Sequence, residues 1–282
     1  MAFSIPRSAL YMPGINQRAM DKARELPCDA VIFDLEDAVA PDRKDEARRL
    51  VLAQVAAGGY GDRTLVVRAN SLDSPWGEDD LHALGAAGVA RVCLPKVGGA
   101  PTLQRAATLL RHAGATDSLR LWAMVETPEG VARAEEICAF EGLELLMMGT
   151  TDLAHELRVP HRADRLGLQY ALSRCVNAAR ARQVLVLDGV YLDIEDGEGF
   201  SAICEQGRAL GFDGKSLIHP RQIETANTVF GVTEAEVARA QRVVATWAEA
   251  EAAGQAVAVL EGQLIEAMHV EDARRTLALA RP

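Results

Sequence analysis

Residues 120–152, RLWAMVETPEGVARAEEICAFEGLELLMMGTTD, decide the fold. An apolar run from Arg120 to Val125 stops at Glu126 and a Thr-Pro turn. An amphipathic stretch from Gly130 to Ala139 follows, and a second apolar run, Leu143 to Met148, stops at Thr150, Thr151 and Asp152. Short apolar runs without alternation are the mark of strands buried on both faces, and a helix-period segment between two of them makes a βα unit.

Outward from this stretch the unit repeats. Further runs cover Ala9 to Met12, Ala30 to Leu35, Thr64 to Ala69, Arg91 to Pro95, Val184 to Leu187 and Gly214 to Ile218. Helix-like segments such as Arg43 to Ala57, Gly77 to Ala86, Thr102 to His112 and Arg165 to Arg182 separate them. This alternation predicts an α/β fold, a parallel sheet closed into a (β/α)8 TIM barrel over residues 1–231. An open doubly wound sheet is the alternative, and the lack of a glycine-rich nucleotide fingerprint after any run counts against it. Past residue 231 the pattern turns helical. Thr233 opens a T-E-A-E capping box for a helix to about Ala253, Gly254 ends it, and the stretch from Gln255 onward carries the apolar spacing of a last helix. Residues 232–282 thus read as a helical C-terminal extension able to reach a neighbouring subunit.

With 49% hydrophobic and 25% charged residues in 282, the chain has the balance of a globular protein. Thirty Lys and Arg against forty Asp and Glu leave a net charge of -10, which argues against nucleic acid or an anionic membrane as partner. The apolar runs fall short of the roughly 20 residues that span a bilayer. Residues 1–14 hold no signal-peptide core, so the expectation is a cytoplasmic protein. Five cysteines scattered through apolar contexts read as reduced core thiols.

Barrels of this kind gather their chemistry at the C-terminal ends of the strands. There the sequence places Glu36 and Asp37, Arg68 and Asn70, Lys96, Glu126, Thr150 to Asp152, Asp188 and His219. Glu126 and Asp152, ending consecutive strands, are hard oxygen ligands suited to Mg2+, with Mn2+ as a substitute; a pair of solvated loop carboxylates is the bland alternative. Arg68 is placed either for a bidentate grip on a substrate carboxylate or for an ion pair with Glu36 or Asp37. Lys96, among carboxylates, reads as a salt-bridging rather than a Schiff-base lysine. His219 either lines the mouth or closes the barrel by hydrogen bonding.

SALYMPG, VIFDLEDAV, VVRAN, LPKV, VETPEG, GTTDL and FDGKSLIHPRQI occur in that order, and together they resemble the citrate lyase β-subunit-like family of the HpcH/HpaI aldolase and citrate lyase superfamily. The resemblance implies a (β/α)8 barrel, usually trimeric, that uses Mg2+ to cleave a 3-hydroxyacyl-CoA thioester of the malyl-, citramalyl- or citryl-CoA type into a 2-oxo acid and a shorter acyl-CoA. It implies that Glu126 and Asp152 hold the metal and that Arg68 binds the substrate carboxylate; with that site, Glu36 and Asp37 are expected to accept hydrogen bonds from metal-bound waters or to orient Arg68. Tyr11, Arg18, Lys22, Ile218 and His219 match positions that contact CoA. The family ends in a segment resembling D-G-x-M-I-D, whose last Asp works as acid or base in the neighbouring subunit's site; here the stretch is EGQLIE, and Glu266 takes that place. Thioester hydrolysis at the same site, and a non-catalytic subunit that binds CoA or acyl-carrier-protein thioesters, are the alternatives.

Overall fold

The computed structural model describes residues 5–280; residues 1–4 and 281–282, at the outer ends of the two predicted segments, lie outside it. All eight predicted strands form: β1 (Ser8–Pro13), β2 (Ala30–Asp34), β3 (Thr64–Arg68), β4 (Arg91–Leu94), β5 (Arg120–Val125), β6 (Leu143–Met148), β7 (Leu185–Asp188) and β8 (Gly214–Leu217). They run parallel in chain order, and β8 pairs back onto β1 to close the barrel.

Around the barrel lie α1 (Gln17–Lys22), α2 (Lys44–Ala57), α3 (Gly77–Ala86), α4 (Ala100–His112), α5 (Pro128–Ala132), α6 (Ala134–Cys138), α7 (Thr150–Leu157), α8 (Gln169–Ala181), α9 (Gly197–Leu210) and α10 (Ile223–Val229). Local chemistry sets their ends. The Asn16, Thr127 and Asp196 side chains cap α1, α5 and α9 by accepting from backbone amides of the first turn. The segment read as one helix from Gly130 to Ala139 is two, broken at Arg133. GTTDLAHEL, read only as a strand end, continues into α7.

The barrel interior follows the period of two along each strand. Ala9, Ile32, Val66, Cys93, Trp122, Met124, Leu145, Met147 and Leu187 pack there as one buried cluster, with Tyr11 against it. Continuing the same parity by one more step reaches Asp34 after Ile32, Arg68 after Val66 and Glu126 after Met124. The inward face thus changes from hydrocarbon to charge at one level of the barrel. All five cysteines are buried, and burial pushes the Cys28 thiol up to about 11 and that of Cys138 to about 12, which fits core packing.

The chain divides into two compact units, Met1–Asn227 and Thr228–Pro282. In the second, α11 (Glu234–Ala252) opens with the expected reciprocal capping box: the Thr233 N–H donates to Glu236 Oε2 at 2.7 Å, and the Glu236 N–H donates to Thr233 Oγ1 at 3.2 Å. The following stretch corrects the helical reading. Residues 258–265 form an antiparallel hairpin, β9 (Ala258–Leu260) and β10 (Gln263–Ile265), before α12 (Ala267–Leu279). Its two-residue turn puts Glu261 at φ 53° and Gly262 at φ 80°, the paired positive φ of a type I′ connection. No helix among the described residues is long and apolar enough to cross a membrane.

Candidate active site

A cavity of about 410 Å3 opens at the C-terminal end of the barrel, lined by Tyr11, Arg68, Glu126, Asp152 and Ile218 among others. Arg68 is its organising side chain. Its Nε and Nη2 each donate to one oxygen of Asp34 at 2.7 Å, its Nη1 lies 2.8 Å from Glu36 Oε2 and 3.3 Å from Asp37 Oδ2, and its guanidinium sits over the Tyr11 ring at 4.8 Å. Asp34 occupies the two-pronged edge that sequence reasoning assigned to a substrate carboxylate, and the Nη1 end is already met by Glu36 and Asp37, so a ligand carboxylate would have to share it with them. The predicted partners Glu36 and Asp37 are both present; Asp34 was missed.

Glu126 is 1% exposed and accepts the Lys96 N–H at 2.6 Å. That amide points inward because Lys96 adopts φ 52°. The Lys96 side chain itself is exposed; it gives the site this backbone donor and a positive charge that opposes the rise of the Glu36 carboxyl. Gly149 leaves room for the Glu126 carboxylate: a Cβ there would lie 2.4 Å from Glu126 Oε2. Asp152 follows in the first turn of α7, half-buried in the cavity wall. Burial, then the charge of Glu36, pushes the Glu126 carboxyl up to about 8; burial pushes Glu36 up to about 7.

These features fit a divalent cation. Glu36 Oε2 is buried yet accepts no directed hydrogen bond, its close contact with Arg68 lying off the N–H axes. Glu126 feels the like charges of Glu36 and Asp152, a repulsion that a cation would relieve. Among the described residues no three His, Cys, Asp or Glu side chains are close enough to enclose an ion. The site therefore suits a cation held by one or two carboxylates and completed by water or substrate, the habit of Mg2+.

Other predicted residues separate from this group. Tyr11 lies inside the barrel, its hydroxyl 3.5 Å from Met124 Sδ, whereas Arg18 and Lys22 are exposed one turn apart on α1 and do not line the cavity. Ile218 lines the rim at 38% exposure. His219 instead caps the turn after β8, its Nδ1 accepting the Arg221 N–H at 3.2 Å. Asp188 ends β7 on the opposite parity from the inward-facing Leu187, so it is fully buried away from the cavity, paired with Lys215 at 2.8 Å and Arg165 at 2.7 Å. Glu266 is exposed at the N-cap of α12 in the second unit, where its own N–H donates to His269 Nδ1 at 3.0 Å.

The model of the HpcH/HpaI aldolase/citrate lyase family matches residues 7–220. The chain belongs to this family. Among its relatives, a (3S)-malyl-CoA thioesterase of Cereibacter sphaeroides is 48% identical over 274 residues, covering 97% of this chain and 94% of the relative. Citrate lyase subunit beta of Escherichia coli is 36% identical over 280 residues, covering 97% and 93%. The crystal structure of the family protein CitE from Mycobacterium tuberculosis, in complex with magnesium, acetoacetate and coenzyme A, superposes with a TM-score of 0.81 at 29% identity over 99% of each chain.

Proposed function

We propose that the chain is a Mg2+-dependent enzyme that hydrolyses a malyl-CoA-type 3-hydroxyacyl thioester to CoA and the free hydroxydicarboxylate. The observation that carries the substrate class is one cavity lined by Glu126, Asp152 and Arg68, whose Nη1 end, turned away from the Asp34 fork, a substrate carboxylate would share with Glu36 and Asp37. Hydrolysis is favoured by the thioesterase relative at 48% identity along nearly the whole chain.

Glu126 and Asp152 would hold the metal. When bound, it supplies Lewis-acid charge that polarises a substrate oxygen. Arg68 Nη1 neutralises the free carboxylate of the acyl group, and the stacked Tyr11 ring holds the guanidinium level. Glu36, pushed up to about 7 by burial, is poised to take or hold a proton at Oε2. Arg18 and Lys22 give the CoA phosphates cationic partners outside the cavity, with Ile218 as apolar contact at the rim. The enzyme works as a homo-oligomer, a trimer, in which Glu266 of a neighbouring chain serves as acid or base.

Carbon–carbon cleavage to a 2-oxo acid and a shorter acyl-CoA is the second reading, favoured by the citrate lyase beta relative at 36% identity. It needs a proton donor for the departing carbon, again the part assigned to Glu266. Mass spectrometry of products from malyl-, citramalyl- and citryl-CoA, with Mg2+ or EDTA, tests both. Free CoA plus malate in the presence of Mg2+ is the expected result; a shorter acyl-CoA would establish the lyase, and no turnover of any thioester would overturn both.

A further inference from the structure

The loop that follows β2 carries Glu36 and Asp37, and it is held from both sides. Above, the Glu36 and Ala38 amides donate to the two oxygens of Asp34 at 2.9 and 3.1 Å. Below it lies Lys44, the first residue of α2, only 6% exposed. Its ammonium donates to the Leu35 carbonyl at 2.9 Å, the Glu36 carbonyl at 2.8 Å and Asn70 Oδ1 at 2.6 Å, and the Trp76 ring lies 5.3 Å away. Three N–H donors meet three oxygens, so the group is satisfied in full.

The third oxygen is itself fixed. Asn70 donates from its backbone N–H at 2.9 Å and from Nδ2 at 2.7 Å to Asp80 Oδ2, and Asp80 Oδ1 accepts from Arg48 Nε at 2.7 Å. Burying an ammonium is costly, and an apolar side chain of similar length would fill the volume at lower cost. What an apolar side chain cannot do is gather two carbonyls of a loop and an amide oxygen of the neighbouring strand end around one point of positive charge. The gathered loop is the one whose amides hold Asp34 and whose Glu36 meets Arg68.

We propose that Lys44 is a positioning residue that acts as a built-in monovalent cation, coordinating Leu35 O, Glu36 O and Asn70 Oδ1 so that Asp34 and Glu36 aim Arg68 at the substrate carboxylate. This rests on the role given to Arg68 above. Its distinctive consequence is that a free cation of suitable size replaces the side chain. Ammonium offers the same N–H donors, whereas tetramethylammonium, with none, does not.

The test uses the full chain with Lys44→Ala and Asn70→Ala. Hydrogen–deuterium exchange of peptides covering residues 34–40 and turnover of malyl-CoA are followed with no addition, with excess ammonium chloride, and with equal tetramethylammonium chloride. In Lys44→Ala, exchange of the loop is expected to speed up about tenfold or more while the rest of the barrel keeps its protection. Its kcat is expected to fall roughly a hundredfold, the scale of an ångström of misplacement. Ammonium restores both and tetramethylammonium neither. Asn70→Ala, which keeps the lysine and removes one of its oxygens, loosens the same loop and carries the exchange readout if the first variant does not fold. An unchanged loop in either variant, or a loosened loop in a folded Lys44→Ala that ammonium does not restore, overturns the proposal. The exchange arm needs no substrate, so a wild-type chain that turns over no thioester defeats the proposed function while exchange still decides the role of Lys44.

Discussion

Asp34 and Arg68 are Cα partners in the β2–β3 register and are joined by two parallel hydrogen bonds of 2.7 Å, both side chains almost wholly buried. A cross-strand pair of this kind fixes the guanidinium plane before any ligand arrives, which is how a long, rotamer-rich side chain becomes a defined binding group.

Asp34→Asn should therefore damage both the fold and the site. Removing the charge of one partner leaves Arg68 buried with less compensation, a loss of about 3 kcal/mol by the behaviour of buried pairs. With the fork broken, Nη1 loses its aim, and kcat/KM should fall between about tenfold and a hundredfold. Denaturant unfolding and steady-state kinetics check the two effects separately. Wild-type values in both would mean that Glu36 and Tyr11 alone hold the arginine.

The carboxylates make metal binding pH-dependent. Glu126 is pushed up to about 8 and Glu36 to about 7, in each case from 4.5 and chiefly by burial. Between those limits the folded, metal-free chain holds more protons than the unfolded one, so their contribution to stability declines as pH rises from about 4.5 towards 8. A cation needs the ionised carboxylate and displaces the proton. Mg2+ affinity should thus climb between about pH 6 and 8.5 with net proton release, and Mg2+ should raise Tm most at the alkaline end. Calorimetry in buffers of different ionisation enthalpy counts the protons; a flat affinity with none released would remove Glu126 from the metal site.

The strands were legible because each is a short apolar run that a polar residue ends, and the closing strand GKSL was hardest because Lys215 interrupts it. That lysine faces away from the barrel interior to pair with Asp188, its register partner, a match that spacing along the chain does not reveal. Strand ends alone named Arg68, Glu126 and Asp152 correctly as cavity residues, and parity would have sorted them further. Counting in twos from Ile32 reaches Asp34, which was hidden inside the run VIFD, and counting in twos from Leu185 skips Asp188. The hairpin at 258–265 was misread because its apolar residues also satisfy a helical period; the discriminating signal was Glu261-Gly262 between two β-prone triplets.

Gly149→Ala isolates the metal side of the cavity. The added Cβ would meet Glu126 Oε2 and Cβ at 2.4 Å, and Glu126, gripped on its other oxygen by the Lys96 amide, must shift. A φ of -95° at Gly149 is open to alanine, but Glu126 Cβ moves only with its own backbone, so the strain falls on the backbone at the end of β5 as well as on the Glu126 carboxylate. Mg2+ affinity should drop by about tenfold or more, since a Mg2+ site tolerates little departure from its geometry. Titration with Mn2+ followed by electron paramagnetic resonance checks this, and unchanged affinity would show that the two strand ends separate without disturbing the metal site.

Glu266 supplies the sharpest test of assembly. It is an exposed residue in the second unit, and its proposed partners are Glu126, Asp152 and Arg68 of another chain's barrel. Glu266→Ala should lower kcat by roughly a hundredfold with little change in KM, because a proton-transferring group acts in the transition state rather than in binding. Glu126→Gln should be inactive through loss of the metal. If the two sites belong to different chains, mixing these variants under conditions that let subunits exchange creates some active sites with an intact Glu126 from one chain and an intact Glu266 from the other. Activity should then rise above that of either variant alone. If Glu266 serves its own chain, no mixture restores it, and if Glu266→Ala is fully active the residue is only the cap of α12.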